Sequence, residues 1–349
     1  MQRAIANSTI FKSTRCHATL KSTRPYDKKY LELENKNRGS PHKLSFVDSS
    51  LTKENAKLAE GSKAVCLFVN DDGSKEVLDK LHKNGTDLIL LRCAGYDRID
   101  LKAAEKKKIS VRNVPAYSPH AVAEFAAGLT LTLNRKIHKA YNRVRDQNFE
   151  LNGLMGSNLH GKTVGVMGTG QIGQIFVNIM LGFGCRVIAW DVKRNPELEG
   201  LKNFSYVEHD QLLASSDIIS LHLPLTEDTK NVINEDNIKK MKKGVTLVNT
   251  SRGALVDPKA VTEAVRSNRI GALALDVWPS EHEFFFANKD DEVIQDDDLN
   301  ALLQYPNVII TSHQAFFTHE AMESIVKTVF DNLEANEKSK DTNELAKEK

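Results

Sequence analysis

Cysteine is scarce in this sequence. The 349 residues include only 4 cysteines, and none of their spacings is a CxxC or zinc-ligand pattern. This excludes a disulfide scaffold and a cysteine-based metal site, and so few thiols indicate a reducing compartment. We expect unpaired thiols that pack as small hydrophobic residues, at Cys16, Cys66, Cys93 and Cys185.

An excess of one charge and a long apolar run are also missing. Lys and Arg number 48 and Asp and Glu 46, so the formal net charge is +2, which gives no electrostatic case for nucleic-acid binding. A membrane helix needs roughly 20 consecutive apolar residues, and no such run exists. We therefore expect a soluble protein without nucleic-acid or membrane partners. Its length exceeds a typical single core, which favours two domains.

The first 26 residues are basic and contain no acid. Their bias resembles a mitochondrial transit peptide. However, Pro25 and Asp27 already read as a turn after a first strand at His17–Ser22, so only about the first 15 residues lie outside the fold. Two interpretations stay open: an uncleaved extension of a cytoplasmic protein, or a mitochondrial targeting signal.

From Gly161 to about Ser312, short β-branched runs alternate with helical stretches. Strands with intervening helices of this length predict βαβ units, and therefore a parallel sheet covered on both faces. The predicted strands are Lys162–Met167, Arg186–Trp190, Asp217–Leu221, Val245–Asn249, Ile270–Leu275 and Val308–Thr311. The predicted helices are Gln171–Gly182, Glu235–Met241, Asp257–Ser267 and Asp298–Leu303.

The first 116 residues show a looser form of this pattern, with predicted strands at Lys43–Val47, Ala64–Val69, Asp87–Leu91 and Ile109–Arg112. Ser118-Pro119 then opens an apolar helix that we expect to continue to about Arg145. Because this helix is too apolar for a free surface, it should pack between domains or against another subunit. A last helix is predicted at Thr318–Glu337, followed by charged residues that we expect to fray.

The strongest local motif is a glycine fingerprint, Gly168, Gly170 and Gly173 in a GxGxxG run. The run alone is weak, but here it follows a predicted strand and opens a predicted helix, as a dinucleotide site requires. The helix N-terminus would favour the pyrophosphate. Asp191, 18 residues after Gly173, ends the next strand. A carboxylate there accepts hydrogen bonds from the adenosine ribose and repels a 2′-phosphate, which favours NAD over NADP.

Three further segments follow predicted strands, where an open α/β sheet places its ligands. They carry Arg252, Glu281 and His313. An arginine can bind a carboxylate bidentately and polarise the adjacent carbonyl, a histidine can exchange a proton near neutral pH, and a glutamate can orient the imidazole and favour its protonated form. Each residue alone is as readily structural, but together beside a nicotinamide site they suit carbonyl reduction.

These residues carry a resemblance to the D-isomer-specific 2-hydroxyacid dehydrogenases, and within them to the NAD-dependent fermentative D-lactate dehydrogenases. The resemblance runs from about Thr19 to Glu334. Besides the glycine fingerprint, it lies in five motifs: Leu91–Asp97, Asn113–Pro119, Asn249–Gly253, Asp276–Glu281 and His313–Phe316.

The resemblance implies a role for each matched residue. Arg252 would bind the substrate carboxylate and carbonyl, His313 would be the acid and base, and Glu281 its partner. Backbone amides near Ala94 and Gly95 would help to hold the carboxylate, with the Tyr117 hydroxyl beside it. Further cofactor contacts would fall on Gln171, Ile172, Leu223, Pro224, Thr250, Ser251 and Asp276.

The resemblance also implies an α/β architecture of two doubly wound parallel-sheet domains. A Rossmann-type cofactor domain, here 119–313, would be inserted into a flavodoxin-like substrate domain, here 1–118 and 314–349, with a cleft between them. Family members usually dimerise through the helix that matches 119–145, which implies a homodimer or homotetramer.

Two kinds of alternative remain at this point. One is a related enzyme that reduces glyoxylate or hydroxypyruvate; the motif at Pro115–Pro119 and the lack of an appended regulatory domain favour pyruvate and lactate instead. The other is an NADH-responsive binding protein, since corepressors share this scaffold and retain the Arg, Glu and His. Such a protein would carry extended flexible tails, which this chain barely has.

Overall fold

A computed structural model describes residues 16–337 and 343–345. The described residues form two compact units, one within Met1–Tyr117 and His319–Lys349, the other within Ser118–Thr318. Both are parallel-sheet α/β units, as the sequence predicts. The N-terminal extension of about 15 residues lies outside the described residues. None of the described helices combines the length and apolar character needed to cross a membrane.

The first unit contains, among its described residues, a parallel sheet of 5 strands in the order β2-β1-β3-β4-β5. This order is that of flavodoxin-type sheets. The strands are β1 (His17–Leu20), β2 (Lys43–Phe46), β3 (Ala64–Leu67), β4 (Leu88–Leu91) and β5 (Ser110–Arg112). The interior strand β1 is more polar than its position suggests, and the hydroxyl of its buried Thr19 is satisfied by Ser62 Oγ at 2.7 Å.

Helices cover this sheet: α1 (Pro25–Asn37), α2 (Lys75–Lys83), α3 (Leu101–Lys106) and α11 (His319–Glu337). One core packs α2 and α3 against the strands through Val65, Leu67, Ile89 and Val111. Helices α1 and α11 contact each other, and α11 also contacts β4. The unit therefore completes its core with a helix from the far end of the chain.

The second unit contains, in the described part of the chain, a parallel sheet of 7 strands in the order β12-β11-β10-β9-β6-β7-β8. The order reverses beside β6, which is the switch point where doubly wound sheets bind dinucleotides. The strands are β6 (Thr163–Met167), β7 (Arg186–Trp190), β8 (Phe204–Tyr206), β9 (Ile218–Leu221), β10 (Val245–Asn249), β11 (Ile270–Leu275) and β12 (Val308–Ile310).

Helices lie on both faces of this sheet. One core joins α4 (Pro119–Arg135) and α6 (Gln171–Gly182) to the strands, through residues such as Ala126, Phe176 and Val166. The other core packs the remaining helices on the opposite face around Ile219 and Leu247. These helices are α7 (His209–Ser215), α8 (Glu235–Lys240), α9 (Pro258–Arg266) and α10 (Asp297–Gln304).

The predicted long helix is wrong as a single element. It divides into α4 and α5 (Ile137–Arg145) at Lys136, which has a left-handed φ of 49°. The amide of Lys136 donates to Leu133 O and Thr132 O and so ends α4. The apolar residues of α4 are buried in the core of the second unit. By contrast α5 buries no residue in the chain, and its apolar residues Ile137, Tyr141 and Val144 are exposed.

The predicted fraying after α11 is wrong for residues 343–345. This segment runs antiparallel to β5: the amide of Leu345 donates to Val111 O at 2.9 Å, and Glu344 forms a bridge with Arg112. Glu344 also lies 3.6 Å from the Arg112 guanidinium. An edge strand with unpaired backbone groups and a buried cation attracts such a segment despite its charged composition.

The boundary predicted between 313 and 314 differs from that of the compact units, which lies between Thr318 and His319. The reason is local, because the amides of Gln314 and Ala315 donate to the carboxylate of Asp276 and so tie this segment to the second unit.

Candidate functional site

The glycine turn of the second unit follows β6 and opens α6. Gly168 has a φ of 95°, and a Cβ there would lie 2.5 Å from the carbonyl oxygen of His222. At Gly173 a Cβ would lie 2.0 Å from Gly168 O, so α6 can lie this close to the turn only because Gly173 lacks a side chain. A Cβ at Gly170 would meet open space. The turn thus leaves room for a ligand at the N-terminus of α6, beside the exposed Gln171 and half-buried Ile172, where anions bind.

Asp191 lies directly after β7, next to this turn. Its Oδ2 accepts hydrogen bonds from the amide of Thr169 at 2.6 Å and from the Thr169 hydroxyl at 3.0 Å. Its Oδ1 accepts from the amide of Lys193 at 2.9 Å. The carboxylate is half-buried and held in place beside the glycine turn, as the fingerprint requires for a ribose contact.

The segment after β9 forms the wall of the turn. His222 Nε2 lies 2.9 Å from Ser220 Oγ, and its ring packs on Phe176 at 4.9 Å. Burial lowers the pKa of His222 to about 3, so the imidazole is neutral and structural. Leu223 is buried and Pro224 is exposed, so this segment presents an apolar surface next to Gly168.

The loop after β10 carries Arg252. Asn249 braces it, since its Oδ1 accepts from the amide of Ser251 and its Nδ2 donates to Arg252 O. The Arg252 guanidinium donates to Ser251 O at 2.8 Å. Thr250 Oγ1 is buried, and no described group forms a hydrogen bond with it. An unsatisfied buried hydroxyl is costly, and a bound cofactor would supply the missing partner.

Asp276 directly follows β11, and its side chain is fully buried. Its carboxylate accepts from the Thr311 hydroxyl at 2.5 Å and from the amides of Gln314 and Ala315, while its carbonyl accepts from the amide of His313. Burial raises the pKa of Asp276, although these hydrogen bonds oppose that rise. The predicted contact of Asp276 with a cofactor stays a prediction. Within the chain, its carboxylate and carbonyl hold the turn that carries His313.

Glu281 and His313 are in contact. His313 Nδ1 lies 2.7 Å from Glu281 Oε1, and Glu281 Oε2 accepts from the amide of Trp278 at 2.9 Å. Because an ionised carboxylate only accepts, Nδ1 carries the proton, and Nε2 is the nitrogen that can exchange a proton with a substrate. His313 itself has a left-handed φ of 53°, a strained conformation of the kind that clusters at functional sites.

Aromatic rings surround the imidazole of His313. The centroid of Phe286 lies 6.0 Å away and that of Phe316 lies 6.4 Å away. Phe286 also has a left-handed φ of 62°. The loop after β11 is held by Asp296, whose carboxylate accepts from Trp278 Nε1 and Ser280 Oγ, each at 2.7 Å. With these neighbours the His313 side chain is 16% exposed.

Arg252, Glu281 and His313 therefore follow the neighbouring strands β10, β11 and β12 at one edge of the sheet. The loops also touch, since a Cβ at Gly253 would lie 2.1 Å from the backbone of Trp278. One edge thus presents an arginine and a histidine–glutamate pair on the same side as the glycine turn. The turn follows β6, and β9 lies between β6 and β10 in the sheet. This arrangement suits the reduction of a carbonyl next to a carboxylate.

The other predicted substrate residues belong to the first unit. Ala94 and Gly95 follow β4 and are half-buried; Asn113 Nδ2 donates to Ala94 O at 2.8 Å and Cys93 Sγ to Gly95 O at 3.3 Å. Tyr117 is half-buried at the end of this unit. Their predicted contact with substrate stays a prediction.

Sequence reasoning missed two features of the site. It placed no strand at β8, although the alternation of Phe204 and Tyr206 around a serine is a weak strand signal. It also gave no role to Phe286, for which the sequence contains no signal, since a positive φ at a phenylalanine depends on tertiary contacts. Among the described residues, no group of three or more His, Cys, Asp or Glu side chains is arranged to hold a metal ion.

Residues 127–315 match the family model described as the D-isomer specific 2-hydroxyacid dehydrogenase, NAD binding domain. A 2-hydroxyacid dehydrogenase homolog 1 of Schizosaccharomyces pombe is 49% identical over 313 residues, which are 89% of this chain and 93% of the relative. The D-lactate dehydrogenase of Escherichia coli is 48% identical over 318 residues, 91% and 95% of the two chains. The solved pyruvate reductase of Chlamydomonas reinhardtii aligns with a TM-score of 0.88 at 41% identity, covering 94% and 98%.

Proposed function

Since the chain belongs to the D-isomer-specific 2-hydroxyacid dehydrogenase family, we propose that it is a D-lactate dehydrogenase, which interconverts pyruvate and D-lactate with NAD as cofactor. The observation that carries this proposal is the 2.7 Å contact between His313 Nδ1 and Glu281 at the sheet edge that also presents Arg252. The name of the Escherichia coli relative supports the choice of substrate.

The residues of the chain divide the work as follows. Arg252 binds the carboxylate and polarises the carbonyl, with the amides at Ala94 and Gly95 and the Tyr117 hydroxyl as further contacts. His313 Nε2 delivers a proton to the carbonyl oxygen during reduction and takes it back during oxidation. Glu281 holds the imidazole and stabilises its charged form. NADH, when bound, supplies the hydride for the carbonyl carbon.

The cofactor fits the second unit. The glycine turn and the N-terminus of α6 suit the pyrophosphate, and Asp191 suits the adenosine ribose. Leu223, Pro224, Thr250 and Ser251 line the same edge of the sheet, where the Thr250 hydroxyl lacks a partner among the described groups. Asp276 is the remaining proposed cofactor contact, and it also positions the turn of His313.

The test is a substrate panel with the purified full chain and NADH. Initial rates with pyruvate, glyoxylate and hydroxypyruvate are compared, and the product from pyruvate is resolved on a chiral column. We expect the highest kcat/KM with pyruvate and D-lactate as the product. A higher kcat/KM with glyoxylate or hydroxypyruvate would assign another member of the family, and NADH binding without turnover would assign a binding protein.

Self-association is proposed for the surface formed by α5 and the segment after it, 137–155. Its apolar side chains are exposed, from 52% at Ile137 through 60% at Tyr141 to 88% at Met155. An apolar surface of this kind marks an interaction site. The proposed partner is a second copy of the chain, which gives a homodimer or, through further contacts, a homotetramer.

For the cellular location we propose the cytoplasm, where a fermentative role would place the enzyme and where unpaired thiols persist. The alternative is the mitochondrion, which the basic, acid-free residues 1–26 support. Fluorescent fusions of the full chain and of a variant that lacks residues 2–15 distinguish the two, because a targeting signal would make only the full chain mitochondrial.

A further inference from the structure

Tyr206 is linked to Asp191, the proposed ribose contact, through the side chain of Thr169. It ends the edge strand β8, and its hydroxyl accepts from the amide of Asn195 at 2.7 Å and donates to Thr169 Oγ1 at 3.0 Å. Thr169 Oγ1 in turn donates to Asp191 Oδ2 at 3.0 Å. Each hydroxyl accepts one proton and donates one, so the chain of hydrogen bonds has a single direction and ends on the carboxylate.

This chain of hydrogen bonds reaches the Asp191 carboxylate from β8, in addition to the amides of Thr169 and Lys193 that donate to it. Thr169 lies inside the glycine turn and is 3% exposed, so its side chain has no freedom to find another acceptor in solvent. Its hydroxyl position depends on Tyr206 on one side and Asp191 on the other. Fixing the carboxylate before the ligand arrives lowers the cost of binding.

The ring of Tyr206 has a second contact. The Arg194 guanidinium lies 5.5 Å from the ring centroid, within the range of a cation–π interaction. Arg194 is exposed and is close in sequence to Asp191, so it is a side chain that could otherwise approach a 2′-phosphate. Stacking on Tyr206 competes with that approach.

We propose that Tyr206 is a positioning residue for cofactor selectivity, which orients Asp191 toward the ribose 2′-hydroxyl through Thr169 and restrains Arg194 on its ring. Tyr206 thereby favours NADH over NADPH without touching the reacting atoms. The inference rests on the NAD site of the proposed function and is independent of the identity of the 2-oxo acid.

The experiment measures the Kd of the full chain for NADH, NADPH and 2′-deoxy-NADH by cofactor fluorescence, without substrate. In Tyr206→Phe we expect the Kd for NADH to rise about 3–10-fold, the effect of one lost hydrogen bond. The Kd values for NADPH and 2′-deoxy-NADH should change less than twofold. Tyr305→Phe is the matched control, a half-buried tyrosine packed on the opposite core of the same unit, and should change none of them.

Two further variants test the route of the effect. Thr169→Val breaks the same chain at its middle and conserves volume, so it should reproduce the NADH-specific loss even if Tyr206→Phe does not fold. In an Asp191→Asn background the effect of Tyr206→Phe should largely vanish, because coupled groups are not additive.

Either of two results would overturn the proposal. One is an equal loss of affinity for all three dinucleotides, which would make Tyr206 merely structural. The other is an additive loss in the Asp191→Asn background. Neither depends on turnover, so a failure with pyruvate would refute the proposed substrate and leave this inference standing.

Discussion

At the scale of single residues, Arg252 decides whether the site accepts a carboxylate. In Arg252→Gln a neutral amide replaces the charged guanidinium. We therefore expect pyruvate reduction to lose roughly 3–5 kcal/mol of transition-state stabilisation, while the Kd for NADH stays that of the unmodified protein. Steady-state kinetics and cofactor fluorescence measure both quantities. Arg266→Gln, an exposed arginine on α9 paired with Glu263, is the control. Near-normal turnover in folded Arg252→Gln would remove this assignment.

The contact between His313 and Glu281 should appear in the pH dependence of the rate. Pyruvate reduction takes up a proton that His313 delivers, so its rate should fall as the pH rises. Glu281→Gln removes the carboxylate that lies 2.7 Å from His313 Nδ1 and should change this pH profile. The exposed Glu283→Gln, on the same turn, should leave the profile unchanged, and His313→Ala should abolish turnover. An identical profile in Glu281→Gln would exclude a coupled pair.

His222 should make the stability of the protein depend on pH. Its pKa is about 3 in the folded chain against 6.5 ordinarily, so at pH values between these the unfolded chain binds a proton that the folded chain does not. The free energy of unfolding must therefore fall as the pH falls through this window. From about pH 7 to about pH 5 the loss due to this group is about 1–2 kcal/mol. Urea unfolding should show this extra loss in the unmodified protein and not in His222→Gln; equal slopes would contradict it.

At the scale of elements, residues 343–345 should stabilise the first unit. They cover the edge of β5 and pair with Arg112, which is 2% exposed. Deleting 343–349 leaves this buried cation without its Glu344 partner, so the free energy of unfolding should fall by about 1–3 kcal/mol.

Deletion of 346–349 alone is the control for this truncation and should leave the stability within about 0.5 kcal/mol of the full chain. Denaturant unfolding of the three chains makes the comparison. If both truncations lost the same stability, the strand-like pairing of 343–345 would not be its source.

At the scale of the whole molecule, the surface 137–155 should hold two copies together. Replacing Phe149 and Leu151, which are 72% and 82% exposed, by serine removes apolar area without affecting a core. We expect a shift from dimer to monomer in size-exclusion chromatography with light scattering, because apolar burial drives such association. Val192→Ser, at a 93% exposed valine outside this surface, should leave the mass unchanged. An unaltered mass in the variant with both serines would show that the interface does not lie on this surface.

The sequence by itself determined most of the cofactor unit. Strands β7, β10 and β11 and helix α6 have the predicted bounds, because buried β-branched runs, a glycine turn and helix spacing are local signals. The glycine fingerprint, Asp191, Arg252, Glu281 and His313 are candidate site residues predicted in the same way, since each follows a strand whose end is visible in the pattern. Their meeting at one edge follows from the parallel order of the strands.

Only the tertiary structure decided the rest, because the deciding contacts join residues far apart in the chain. The break at Lys136 depends on which part of the helix finds a core, and the pairing of 343–345 depends on an edge strand more than 200 residues earlier. The burial of Asp276 follows from loops that converge on it. The proposed role of Tyr206 follows from its place at the end of the three-residue edge strand β8, where its hydroxyl donates to Thr169 in the glycine turn. None of these contacts can be predicted from the local composition of the sequence, because each depends on how distant parts of the chain pack.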